Sequence, residues 1–133
     1  VLKQYPKEIK LVYKEFPLRS HRFSQSASLA AIAAGKQGKY WQMHDKIFEN
    51  YSSLSEEKLK RFAQELGLNM PQFEKDRKDF SAQKRIQLDM QSGVAAGVHG
   101  TPTIFVNGHR LKRRSLEGFK NIIDSELKKA ADK

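Results

Sequence analysis

The sequence predicts an α/β fold, and three observations carry that prediction. An alternating apolar run lies near residues 8–14, helical periodicities with caps fill about 23–97, and a strand, an Asn-Gly turn, a second strand and a helix close the chain. No internal repeat or low-complexity linker interrupts this order, which fits one domain over residues 1–133.

Ile9, Leu11 and Tyr13 alternate with Lys10, Val12 and Lys14 until Phe16-Pro17 ends the run, the period-two signature of a partly buried strand. Before it, Val1 to Tyr5 reads as the tail of a helix stopped by Pro6, whose ring and missing N–H cannot continue one. Ser24 is placed to cap a small-residue helix to Ala34, with Gly35 as its stop. Tyr40, Trp41, His44, Ile47, Phe48 and Tyr51 recur at helical spacing on one face. Ser55 caps the next helix and places Glu56 and Glu57 in its first turn, where the helix dipole favours acids. Leu59, Phe62, Ala63 and Leu66 form its buried stripe, and Gly67 ends it. Phe73, Arg77 and Phe80 mark a short helix from about Pro71, and Ile86, Met90 and Val94 mark one side of another over 81–96. Met43, Met70 and Met90 suit the filling of a core better than ligation.

Past Pro102, Thr103 to Val106 is a short run of high β-propensity. Asn107-Gly108 then supplies the two positive-φ positions of a type I′ hairpin turn. His109 to Lys112 returns as an edge strand whose Arg and Lys discourage edge-to-edge pairing. Ser115 caps a last helix with Leu116, Phe119, Ile123 and Leu127 on one stripe.

Composition removes several function classes. The net charge is +10, but the 25 Lys and Arg are scattered from Lys3 to Lys133. Their densest cluster, Arg110-Lys112-Arg113-Arg114, has no interleaved aromatics and reads as a solvated face, so nucleic acid is not an expected partner. The apolar fraction is 38% and the mean hydropathy −0.70, and no run approaches the roughly eighteen apolar residues of a membrane span. The small-residue stretch Ala27 to Ala34 is too short and is broken by Ser28. The chain opens on Val1 rather than Met, as a mature or trimmed product would. With no cysteine, these residues offer no disulfide, thiolate ligand or thiol nucleophile. His21 and His109 have no carboxylate or histidine at metal-ligand spacing, and no phosphate loop or Ser–His–Asp motif is present, so no cofactor or metal is expected. His44, on an apolar face beside Asp45, reads as a satisfied, partly buried histidine.

The candidate site is Gly100-Thr101-Pro102. A proline opening an apolar strand is confined to strand starts, edges and bulges, and a Gly-Thr-Pro run there is a candidate for a cis peptide bond. A second reading is a trans strand opening without a ligand, Gly100 serving only a tight turn. His99, one residue away, reads as an exposed loop histidine.

Three tracts in this order carry a resemblance. They are Leu11 to Leu18 followed by His21; Ala31 to Gly38 leading into Tyr40-Trp41-Gln42-Met43-His44-Asp45; and Gly97 to Gly108 around Gly100-Thr101-Pro102. Together they resemble the DsbA-like thiol–disulfide oxidoreductases over essentially the whole chain. The resemblance implies a thioredoxin-like fold of the DsbA type with a helical subdomain inserted at about 23–97. In that family a strand and a helix opening with Cys-x-x-Cys precede the region where Val1 stands. It therefore implies a chain incomplete at its N-terminus, lacking the central strand, with Val1 to Tyr5 as the end of the active-site helix. Thr101 would offer backbone hydrogen bonds to an extended polypeptide substrate, Gly100 would let that backbone approach, and Pro102 would keep a competing N–H from the sulfurs.

Removing a central strand leaves a slot, and buried unpaired N–H and C=O groups cost roughly 1–3 kcal/mol each. Three arrangements fill it: a segment upstream, a second chain in a homodimer or strand exchange, or direct closure of the two halves. The expectation is that these residues alone are dimeric or poorly stable. Two functions follow. One is disulfide exchange in exported proteins of the periplasm or cell envelope, with this chain redox-inactive as given. The other is a non-redox, peptide-binding or chaperone-type module.

Overall fold

Six α-helices, one short 3-10 turn and one β-hairpin make up the regular structure of this computed structural model, which describes residues 1–133 throughout. The chain divides into two compact units, Lys14–Gly97 and the pair Val1–Tyr13 with Val98–Lys133.

The first unit holds α1 (Ser24–Lys36), α2 (Tyr40–Glu49), a 3-10 turn (Tyr51–Ser53), α3 (Glu56–Glu65), α4 (Met70–Arg77) and α5 (Phe80–Ala95). Its organising element is α1, which buries Ala27, Ala30, Ala31, Ala33 and Ala34 and no large side chain. Side chains that small let α2 and α4 lie close against it. The bulk comes from the neighbours: Met43 of α2, Leu59 of α3 and Phe73 of α4 are each 0% exposed. Burying a large apolar side chain contributes roughly 1.5–3 kcal/mol, so these three anchor the core. Ser55 Oγ accepts the Lys58 N–H at 3.1 Å, and Asn69 Oδ1 accepts that of Gln72 at 3.0 Å, capping α3 and α4.

Three sequence expectations are corrected here. Helix α1 runs past Gly35 to Lys36, and the left-handed residue after it is Gly38, at φ 76. Gly35 is small for a different reason: a Cβ there would stand 3.3 Å from the Tyr40 side chain, so α2 leans on it. Ser24 is the first residue of α1 and not its cap; its hydroxyl donates to Leu18 O at 2.7 Å. Phe80 begins α5, 71% exposed, and Val94 faces outward, because α5 buries only Ala82, Ile86 and Asp89.

In the second unit, Val1 to Tyr5 forms a single turn, with the Gln4 and Tyr5 N–H groups donating to Val1 O at 2.9 and 3.2 Å. The Tyr5 hydroxyl donates to Asp124 Oδ1 at 2.6 Å, and this bond, with burial and the nearby negative charge, pushes the phenol up to about 12. The strand expected near residues 8–14 does not form. Its alternation is real, but a strand needs a neighbour to share backbone hydrogen bonds, and Ile9 to Val12 have none. Leu11 and Val12 are instead 52% and 59% exposed.

The hairpin pairs β1 (Phe105–Val106) with β2 (His109–Arg110) antiparallel, Phe105 opposite Arg110 and Val106 opposite His109. Asn107 and Gly108 turn it at φ 48 and 81. The Leu111 N–H extends the pairing to Ile104 O at 2.8 Å. Ser115 Oγ accepts the Gly118 N–H at 3.0 Å and caps α6 (Leu116–Ala131), whose Ile123 is buried. At Gly118 a Cβ would fall 2.1 Å from the Arg113 carbonyl oxygen, so the approach to α6 admits no side chain there.

Candidate functional site

The loop from His99 to Ile104 enters the hairpin with its polar edge outward. Thr101 and Pro102 are exposed, and the peptide bond joining them is cis. Thr103 Oγ1 donates to Gly100 O at 2.7 Å, closing the loop on itself. A Cβ built on Gly100 meets nothing within 4 Å, so the space over that residue is open. The Thr101 backbone takes part in no hydrogen bond within the chain. Half-buried Gly100 and exposed Thr101 and Pro102 thus form one ledge at the start of the hairpin, able to hydrogen-bond an extended backbone laid along it. His99 is exposed on the same loop.

Next to the ledge lies a cavity of about 340 Å³ bounded by Pro102, Thr103 and Ile104 on the loop and by Arg110, Leu111, Lys112 and Arg114 on the return. Sequence reasoning treated these cations as a solvated face. What brings them to the loop is the hairpin register, which sets Arg110 opposite Phe105, and the Leu111 N–H bond to Ile104 O that holds the return beside the loop. The cluster was visible in the sequence; its convergence with Pro102 was not.

A second polar cluster, in the helical unit, is structural. The Glu15 carboxylate, buried, accepts from Tyr40 OH at 2.5 Å and from Ser28 Oγ at 2.7 Å. The Glu15 N–H donates to Asp89 Oδ2 at 2.9 Å, and Arg85 Nε stands 3.3 Å from Asp89 Oδ1. Burial pushes the Glu15 carboxyl above its ordinary range, against the two hydroxyl donors that pull it down. Every polar group in the cluster is spoken for, which describes a clamp.

The aromatic residues of α2 are arranged differently from the single core face the spacing suggested. Met43 and Ile47 take the core, while Trp41 and Phe48 are exposed and His44 lies between them, edge-on to Trp41 and tilted against Phe48, ring centroids 5.3 Å and 4.6 Å away. His44 Nδ1 lies 3.1 Å from Asp45 Oδ1, so the histidine is partnered. His21 is exposed, and His109 Nε2 stands 3.9 Å from Glu126 Oε1.

Comparison with known proteins bears on this geometry. The family model described as Thioredoxin matches residues 1–125. A solved thioredoxin-like oxidoreductase from Silicibacter pomeroyi superposes with a TM-score of 0.72 at 27% identity, over 90% of this chain and 68% of its own. The Na(+)/H(+) antiporter NhaA 3 of Salinispora tropica is 36% identical over 103 residues, 77% of this chain and 16% of the antiporter. The antiporter NhaA of Herminiimonas arsenicoxydans is 35% identical over 105 residues, 79% of this chain and 17% of its own. This chain therefore spans about a sixth of the length of the curated relatives it matches.

Proposed function

Since this chain belongs to the thioredoxin family, with the thioredoxin-like fold of its DsbA-like members, we propose that it is the peptide-holding part of a thiol–disulfide oxidoreductase acting on exported proteins in the periplasm or cell envelope. The observation that carries this reading is the ledge Gly100-Thr101-Pro102 at the head of the hairpin, open over Gly100 and exposed at Thr101 and Pro102. An extended substrate pairs with the Thr101 backbone, Gly100 leaves room for it, and Pro102 presents no N–H to compete for a sulfur. Disulfide exchange proceeds by attack of a thiolate on one sulfur of the substrate, which joins the attacking sulfur while the other leaves as a thiolate. With no cysteine, these 133 residues hold and orient the substrate and do not supply that thiolate.

The antiporter names belong to the antiporters. None of this chain's helices is long and apolar enough to cross a membrane, and the reading rests on the thioredoxin family.

The absence of cysteine favours one further reading, a peptide-binding module without redox chemistry. There the open backbone of Ile9 to Val12 is a place for a second copy of the chain to add a strand. Intact mass of the protein from its source, native and denatured, before and after alkylation of reduced thiols, separates the two. Uptake of two alkyl groups on a product heavier than 15.3 kDa supports the oxidoreductase. No uptake at 15.3 kDa leaves the module, with a doubled native mass marking the dimer.

Both readings need the ledge. Gly100→Val puts a branched side chain into open space, so it should fold as before and bind an extended peptide at least about tenfold more weakly, by fluorescence anisotropy. Unchanged peptide affinity in a normally melting variant would remove the ledge from the argument.

A further inference from the structure

The cavity beside the ledge has a chemistry that peptide binding alone does not require. We propose that it selects acidic substrates, taking Asp or Glu side chains of a peptide whose backbone lies on Gly100-Thr101-Pro102; this rests on the peptide-holding reading above.

The argument begins with charge. No acidic residue stands between Asp89 and Glu117, so the loop and both hairpin strands carry only neutral and basic side chains. Arg110, Lys112 and Arg114 line the cavity with Leu111 among them, and Arg113 does not. None of the three is ion-paired within the chain. Glu126, the acid facing the hairpin turn, is already held by Lys129 Nζ at 2.7 Å and by Asn107 Nδ2 at 3.2 Å. Three cations without a carboxylate around one cavity leave a site for an anion from outside.

Geometry narrows the anion. Residues at alternate positions of an extended chain share a face and recur about every 6.6–6.8 Å, so a peptide strand presents every second side chain to one side. An extended peptide with acids two residues apart therefore turns both carboxylates to the side where these cations stand. The lining holds no aromatic ring, so it offers no platform on which nucleic-acid bases could stack. Leu111, buried between the cations, has its N–H committed to Ile104 O at 2.8 Å, which fixes the return strand beside the loop.

The test uses the full chain and two labelled extended peptides alike except that one has Glu at two alternate positions and the other Gln. The Glu peptide is expected to bind about three- to thirtyfold tighter at low salt, the worth of two exposed charge pairs, with the preference shrinking as salt is raised. The combined variant Arg110→Gln, Lys112→Gln, Arg114→Gln should bind both peptides equally, at the level of the Gln peptide. Arg113→Gln should keep the preference. If the parent protein binds both peptides alike, the acidic selection is overturned while the ledge survives. If neither peptide binds, the ledge reading falls and the selection with it. If random-sequence duplex DNA displaces the Glu peptide at lower concentration than unlabelled Glu peptide does, the cations serve phosphates and the proposal is overturned.

Discussion

Replacing Phe73 with alanine is expected to lower the unfolding free energy by roughly 3–5 kcal/mol, the range for deleting a buried aromatic side chain. Such a loss depends on how far the surroundings collapse into the void, and here they cannot collapse far. Phe73 packs in a core whose α1 wall is alanine, and alanine has no rotamer with which to reach into a hole. The other bulky members, Met43 and Leu59, are already fully buried in their own places. Phe73→Leu keeps most of the volume and should lose clearly less. Urea unfolding followed by far-UV circular dichroism measures both; an alanine variant within about 1 kcal/mol of the parent would show that the alanine wall does yield.

The second large effect is at Glu15, where two substitutions should diverge. Glu15→Ala strands the Ser28 and Tyr40 hydroxyls that donate to the carboxylate, and should lower stability by about 2–4 kcal/mol. Glu15→Gln keeps an acceptor for Tyr40 and can donate to Ser28, while removing a charge held away from water. The sign of its pH dependence follows from the carboxyl's position above the ordinary value of 4.5. The folded chain then holds that proton more tightly than the unfolded one, so the group favours folding below 4.5 and loses this contribution as pH rises through the folded value. Glu15→Gln should remove that decline, gaining on the parent as pH rises from 4.5 through the folded value. Denaturant midpoints of the two proteins across that interval decide it; parallel curves would mean the carboxyl titrates as it does in water.

How much of this could be read in advance depends on how local each signal is. The helices of the 14–97 unit were legible because caps and stripes act within one turn: Ser55 before Glu56 and Glu57, Leu59 with Phe62 and Ala63, Gly67 at the stop. Asn107-Gly108 was legible for the same reason. What failed needed a distant partner. The alternation of Ile9 to Tyr13 is right for a strand, and only a neighbouring strand makes it one. Gly35 looked like a helix stop, whereas its role is set by Tyr40 of the next helix. On α2, spacing could not tell a core face from an exposed stack, since Trp41, His44 and Phe48 share the period of Met43 and Ile47. The Gly100-Thr101-Pro102 ledge was visible as a motif. Its cationic neighbour was invisible until the hairpin register folded Arg110 back toward the loop.

The hydrogen bond from the Glu15 N–H to Asp89 Oδ2 has a consequence for how the chain assembles. The hairpin unit is discontinuous, its first piece ending at Tyr13 and its second beginning at Val98. Joining those pieces across an unstructured stretch of that length would cost about 4 kcal/mol in closure entropy. Once the helices have condensed, Glu15 is tied to α5 and the long stretch is no longer a floppy loop, so most of that entropy has already been spent. The helical unit should fold first, and every substitution that loosens its clamp should delay the appearance of the ledge more than it alters the ledge itself.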